Sequence, residues 1–229
     1  MKNQVRYIDL KVKEYKETWD FQQEIHRNLV GAKTSGEKTD TLPSLIFVEH
    51  PHVYTLGKSG HENNLLIDPG FLHSIHATYY RTDRGGDITY HGPGQLVGYP
   101  VFDLDRLGIG PRKYIECIED SIIWLLKQFG IESGRLDGAT GVWVSAPEPP
   151  LMRKICAIGV KISRGITMHG FALNVNTDLS YFTWINPCGF TDKGVTSISK
   201  IKGEEVNMEK VKEMLKGIIG DVFGVGFAT

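Results

Sequence analysis

A chain of 229 residues suits one large domain or two small ones, and 41% apolar with 23% charged residues is the make-up of a globular protein, which excludes disordered and fibrous classes. A formal net charge of −1 supplies no global field for nucleic acid. No apolar run approaches the roughly 18 residues of a membrane span, and the first residues lack the apolar core of a secretory signal, so neither a membrane nor a nucleic-acid partner is expected. Cys117, Cys156 and Cys188 are an odd set without a CxxC pair. That argues against a disulfide framework or a four-cysteine zinc site and for a reducing, cytoplasmic location.

Val5 to Val12 is expected as a strand. From Lys13, Tyr15, Trp19, Ile25 and Leu29 fall near helical spacing between polar residues, with Gly31 as the expected stop. Ala32 to Leu42 is polar and is expected as an exposed loop. Ser44 to Glu49 is an apolar run, hence a buried strand. His50 and His52 lie two apart, but with a proline between them and no third donor at ligand spacing we expect no metal site. Lys58 to Asn64 is a polar loop. Asp68 followed by Pro69 is an N-cap with proline at the first helical position, which predicts a short helix to about His76. Ala77 to Thr82 is expected as a strand.

Arg84 to Pro100 holds five glycines, with Ile88 to Tyr90 and Leu96 to Val101 strand-like between them. Glycine costs backbone entropy and adds no packing, so such a density implies special dihedrals or a backbone that something approaches closely. Aliphatic and aromatic residues among them distinguish the segment from a flexible linker. Two readings stand at this point: a hairpin with a tight turn, and the wall of a pocket. The segment has neither the spacing of a phosphate-binding loop nor a dinucleotide fingerprint.

Gly110-Pro111 opens a helix with Tyr114, Ile118, Ile122, Leu125 and Phe129 as its apolar stripe, closed by Gly130. Cys117 lies beside that stripe as a small core residue. Arg135 to Ser145 is expected as a hairpin. Two further antiparallel strands, Arg153 to Ile162 and Ile166 to Val175, flank a turn at Ser163 to Gly165. Period-two alternation places Lys154, Cys156 and Ile158 on one face. Leu179 to Trp184 is expected to be helical, and Cys188 follows in a Pro-Cys-Gly turn, where a thiol is accessible enough to react. Asp192 to Lys202 is polar and basic. A helix from about Asn207 to Val222 closes the chain. Strands and helices without regular alternation make the expected class α+β, in one domain spanning residues 1–229.

A turn cysteine, a strand lysine, two His-Gly pairs (His91 and His169) and a glycine wall suggest acyl transfer through a thioester. The thiolate is the nucleophile, and a nearby ammonium or imidazolium favours it. From the residues alone Lys154, Lys161 or a histidine would serve. No serine sits in a Gly-x-Ser-x-Gly elbow.

The glycine segment, the His50-to-Gly57 block, the Arg-Lys-Ile-x-x-Ile-Gly strand, the His-Gly-Phe-Ala-Leu-Asn-Val strand and the Pro-Cys-Gly turn together resemble the lipoyl(octanoyl) transferase family over about His50 to Ser199. The resemblance implies a fold similar to the biotin/lipoate protein ligase catalytic domain, a mixed sheet flanked by helices. It implies transfer of an octanoyl group from octanoyl-acyl carrier protein to a lysine of lipoyl domains of 2-oxoacid dehydrogenase complexes or of the glycine cleavage H protein, with no ATP or metal. The family's Cys/Lys pair maps onto Cys188 and Lys154, leaving Lys161 a bystander. Its acyl-substrate contacts map onto Arg84, Gly85, Gly86, Asp87, Ile88, Thr89, Tyr90 and His91, then Ala157, Ile158 and Gly159, then His169, Gly170, Phe171 and Ala172. Asp87 stands where the family usually has glutamine, and either alters substrate contacts or bonds locally. The rivals are an ATP-dependent ligase of the same fold, which needs no nucleophilic cysteine, and a non-catalytic binding module docking acidic partners on Lys193, Lys200 and Lys202.

Overall fold

The computed structural model describes residues 3–149, 151–186 and 193–228. Cys188 and its Pro-Cys-Gly turn lie outside the described residues. The architecture is built on two sheets, and the α+β class is as expected. The larger sheet takes in β1 (Asn3–Val12), β2 (Ser44–Glu49), β6 (Gln95–Val101), β7 (Gly134–Leu136), β8 (Ala139–Ser145), β9 (Met152–Ser163), β10 (Ile166–Asn174) and β12 (Val225–Ala228). They run in the order β12-β1-β2-β6-β10-β9-β8-β7, with β11 (Gly194–Val195) paired to β9. The smaller sheet is β4 (Thr78–Arg81), β3 (Val53–Leu56) and β5 (Ile88–His91), in the order β4-β3-β5. The pairs β1·β2, β1·β12, β11·β9 and β3·β4 are parallel, and the other pairs are antiparallel.

Alternation along the central strands explains the layers. In β2, Leu45 and Phe47 enter one apolar cluster while Ile46 and Val48 enter another on the opposite face. Both faces are covered, so the strand reads as a continuous apolar run. The first cluster lies under α4 (Pro111–Gln128) and α6 (Met208–Phe223), through Ile118, Ile122, Leu125, Val211 and Leu215. The second lies under α1 (Tyr15–Ser35), through Ile25 and Leu29. The smaller sheet has its own cluster, Tyr54, Leu56, Ile88 and Tyr90, closed by Leu72 of α2 (Pro69–Ser74).

Local signals hold at several boundaries. Asp68 Oδ1 accepts from the Phe71 N–H at 2.9 Å and caps α2, with Pro69 at its start. Arg164 (φ 52°) and Gly165 (φ 76°) make the two-residue left-handed turn that joins β9 to β10, the geometry suited to the twist of the strands. Gly31 is not the stop of α1. The helix runs on to Ser35, and Gly36 ends it at φ 75°, its N–H bonding to Ala32 O. Thus the first part of the expected loop is helical. A short α3 (Leu104–Leu107) and β12 were not anticipated; α5 (Ile198–Lys202) sits within the basic stretch and buries Ile198.

Two glycines carry opposite predictions. Gly31 is a helix-interior residue, and a methyl group there would meet nothing within 4 Å. Gly31→Ala is therefore expected to stabilise the fold by about 0.5–1 kcal/mol. Gly98 of β6 lies opposite Phe171 of β10, whose ring a Cβ would approach to 2.2 Å. Gly98→Ala is expected to cost about 1–3 kcal/mol. Denaturant midpoints of the two variants against the native protein check both signs.

Candidate active site

The loop Thr82 to Asp87 leaves the smaller sheet and lies against β9 of the larger one. Gly85 N donates to Val160 O at 2.8 Å, and Lys58 N and Ser59 N donate to Arg84 O and Gly86 O at 2.9 and 3.2 Å. A Cβ on Gly57 would sit 2.2 Å from Gly86 O, and one on Gly159 would sit 2.9 Å from Gly85 O. These residues allow backbone to meet backbone. Arg84, only 7% exposed, secures the loop from beneath: Nη2 donates to Thr55 O at 2.6 Å, and Nε to Thr55 Oγ1 at 3.2 Å.

At this seam lies a cavity of about 460 Å³. Of the sequence-predicted residues, Arg84 to Thr89 and His91, Ala157 to Gly159, and His169 to Ala172 all line it, together with Lys154. Tyr90 is the exception. Its side chain is on the other face of β5, in the small-sheet cluster, where its hydroxyl bonds to His52 Nδ1 at 2.7 Å. The lining extends from the exposed Gly138 of the β7–β8 turn, Thr140 of β8 and Lys193 to the buried Tyr15, Tyr99 and His91. Sequence reasoning missed Tyr15, Tyr99 and Trp143. On α1, Tyr15 looks like any apolar stripe residue, and only the contact across elements distinguishes it.

Lys154 and Lys161 separate clearly. Lys154 lines the cavity, and its strand pairs with β11, Val195 opposite Lys154 and Thr196 N donating to Lys154 O at 3.0 Å. Lys161 Nζ instead bonds Asp83 Oδ2 at 2.6 Å. Alternation fails between Lys154 and Cys156. Val142 lies opposite Cys156 but Trp143 lies opposite Lys154, so Ile155 is the extra residue of a β-bulge. Cys156 is fully buried in the apolar cluster, and burial pushes its thiol well up, away from the reactive thiolate.

A chain of buried polar groups crosses the site. The Thr55 hydroxyl meets His91 Nε2 at 3.4 Å, and His91 Nδ1 bonds Gln95 Oε1 at 2.8 Å. Gln95 Nε2 donates to Asn174 Oδ1 at 2.9 Å, and Asn174 Nδ2 to Thr196 O at 3.0 Å. With Gln95 in this orientation, His91 carries its proton on Nδ1 and accepts at Nε2. His169 has its backbone at φ 59°, a left-handed conformation inside β10. Its Nε2 donates to Asp83 Oδ1 at 2.8 Å, and its backbone N–H to Gln22 Oε1 at 3.0 Å. The His169 hydrogen bond, followed by Lys161, holds the Asp83 carboxyl well below the usual carboxylate range. Asp87 bonds locally: Oδ1 accepts from Ile88 N at 2.7 Å and Oδ2 from Asn64 Nδ2 at 2.6 Å. His50 and His52 diverge rather than converge. His50 bonds Lys13 O and the Tyr99 hydroxyl at 2.7 and 2.8 Å, and His52 stacks on Tyr181 in the small-sheet cluster.

Residues 14–219 match the family model of the lipoyl protein ligase A/B catalytic domain. An octanoyltransferase of Bacteroides fragilis is 52% identical over 201 residues, covering 88% of this chain and 90% of its own. An octanoyltransferase of Christiangramia forsetii is 50% identical over 220 residues, covering 94% of each chain. Among solved structures, a bi-partite lipoate protein ligase from Thermoplasma acidophilum superposes with a TM-score of 0.68 at 14% identity, over 98% of this chain and 86% of that one. A lipoate-protein ligase A bound with ATP gives 0.67 at 16%, over 98% and 87%. At these identities the two structures establish the fold.

Burial holds two histidines neutral, His50 behind Tyr99 with its pKa lowered to about 4 and the cavity-lining His91 to about 3. The unfolded chain takes up these protons first, near pH 6.5, so their contribution is full above that pH and is lost as pH falls toward those values. The denaturant midpoint is therefore expected to fall between pH 7.5 and pH 5, and His91→Gln is expected to flatten that fall. A midpoint constant over this range would show that the two rings are not held neutral.

Proposed function

This chain belongs to the lipoyl protein ligase A/B catalytic domain family and is an octanoyltransferase of protein lipoylation, and we propose that it works through an acyl-cysteine thioester. The observation that carries the mechanism is the placement of Lys154. It lines the glycine-walled cavity together with Lys193, Gly194 and Val195, and Val195 pairs with it between β11 and β9. On the other side of Cys188, Asn186 N is tied to Asn64 O at 2.8 Å. Residues 1–229 act as one catalytic domain.

The donor is octanoyl-acyl carrier protein. The acceptors are lipoyl domains of 2-oxoacid dehydrogenase complexes and the glycine cleavage H protein. The thioester is already activated, so neither ATP nor a metal is needed. The protein acts in the cytoplasm; among the described residues no helix is long and apolar enough to cross a membrane.

In the first half, the Cys188 thiolate, favoured by the Lys154 ammonium, attacks the octanoyl carbonyl. The C–S bond to pantetheine breaks, the pantetheine sulfur takes a proton from Lys154, and octanoyl-Cys188 and neutral Lys154 remain. One thioester replaces another, so the step costs little free energy. In the second half, a neutral acceptor lysine attacks octanoyl-Cys188. Its proton passes to Lys154, the C–S bond breaks, and the thiolate and ammonium are restored.

The substrate-contacting residues are Arg84, Gly85, Gly86, Asp87, Ile88, Thr89 and His91, Ala157 to Gly159, and His169 to Ala172. Tyr90 supports the wall from behind. The glycines let the acyl chain lie against backbone, and each buried methylene contributes about 0.8 kcal/mol. His91 has both ring nitrogens engaged by Gln95 and Thr55, which suits positioning rather than proton transfer.

Intact-mass spectrometry after brief incubation with octanoyl-acyl carrier protein tests this. One octanoyl adduct is expected on the native protein, absent in Cys188→Ala and discharged by a lipoyl domain. Lys154→Ala is expected to slow turnover by about 10²–10⁴-fold. Lipoyl-domain modification that appears only with ATP and free octanoate would make the protein a ligase instead. An adduct persisting in Cys188→Ala would place the acyl group on another residue.

A further inference from the structure

The Lys154 side chain is seated on an aromatic face. Its Nζ lies 4.7 Å from the ring centroid of Trp143, on the neighbouring strand β8. Such an approach attracts an ammonium to the negative face of the indole. Trp143 is 2% exposed and lines the cavity. Its Nε1–H donates to Ala139 O at 2.8 Å, which fixes the plane of the ring.

Several features serve this placement. The bulge at Ile155 sets Trp143 opposite Lys154; with unbroken pairing it would face Ile155. Upstream, Gly141 has φ 122°, and a Cβ there would stand 2.5 Å from Cys156 O. Its N–H donates at 3.1 Å to Oε1 of the buried Glu119, whose Oε2 accepts from Arg135 Nε at 2.7 Å. A charged pair from outside the cavity thus holds the β8 glycine that lies two residues before Trp143, across from the bulge of β9.

We propose that Trp143 is a positioning residue of the transferase, its indole face holding the Lys154 amine at one place through both halves of the reaction. The inference rests on Lys154 carrying the proton as described above. Lys154 must be an ammonium beside a thiolate, then a neutral amine within reach of the incoming lysine, then an ammonium again. A flexible four-carbon side chain has many other rotamers. The ring attracts the ammonium electrostatically and packs against its methylenes when neutral, so the nitrogen keeps its position as its charge changes. Glu119 and Arg135 are paired to each other, and the indole face meets the Lys154 amine at 4.7 Å from its centroid.

Trp143→Phe and Trp143→Leu separate this role from simple packing. Both lose the bond to Ala139, but only Phe keeps an aromatic face. With rates normalised to the folded fraction from near-ultraviolet circular dichroism, kcat of Trp143→Leu is expected about tenfold below that of Trp143→Phe. KM for octanoyl-acyl carrier protein is expected to stay unchanged. In the Lys154→Ala background, replacing Trp143 with Leu is expected to add nothing. Equal kcat for the Phe and Leu variants, a loss confined to KM, or an undiminished Leu effect in the Lys154→Ala background would each overturn the inference while leaving the thioester pathway intact. Full activity of Lys154→Ala, or no octanoyl adduct on the native protein, would overturn the pathway and the inference together.

Discussion

The site depends on one close approach, the backbone of Arg84 to Gly86 lying on Gly57, just after β3 of the smaller sheet, and on Gly159 of the larger. With a Cβ on Gly57 a mere 2.2 Å from Gly86 O, no side chain can occupy that position without moving backbone. This contact joins the smaller sheet to the larger, and the cavity is the space beside the join. Arg84 makes the approach durable. Its guanidinium spans Thr55 and Gly85 O from a buried position, so the loop is held by charge-assisted bonds where a bare glycine loop would be mobile.

Charge around the cavity is divided by burial. His50 and His91 are kept neutral by desolvation and used as hydrogen-bonding spacers between strands. Asp83 is paired with Lys161 and Glu119 with Arg135, and Asp83 also accepts from His169, whose pKa burial lowers. Thr55, His91, Gln95 and Asn174 then connect the glycine loop to Thr196, whose N–H holds the Lys154 carbonyl. The loop that walls the cavity and the strand that carries the lysine are thereby positioned by one polar chain with little freedom to move separately.

The bulge at Ile155 shows how small a departure separates two functions on one strand. Strict alternation would put Lys154 and Cys156 on one face. One extra residue sends the lysine into the cavity and the thiol into the apolar cluster, where burial disfavours its thiolate. The protein thus keeps a second cysteine close to its lysine without giving it the lysine's surroundings.

What the sequence by itself determined was local. The apolar run Ser44 to Glu49, the Asp68-Pro69 cap, the turn at Arg164-Gly165 and the helix opened by Gly110-Pro111 depend on dihedrals and periodicity within a few residues, and each is where those signals put it. The motifs announced the family because they are carried by contiguous residues, whereas the glycine segment left a hairpin and a pocket wall both open until the cavity lining decided for the wall. Tertiary structure decided the rest. Gly31 continues α1 because neighbouring turns tolerate it, and Gly36 rather than Gly31 takes the left-handed dihedral that ends that helix. Tyr90 turns away from the cavity because pairing register assigns its face. Asp83 chooses Lys161 and His169, and Lys154 meets Trp143, across separations in sequence that no local propensity encodes. Periodicity states which side of an element is buried; only packing between elements decides what that side touches.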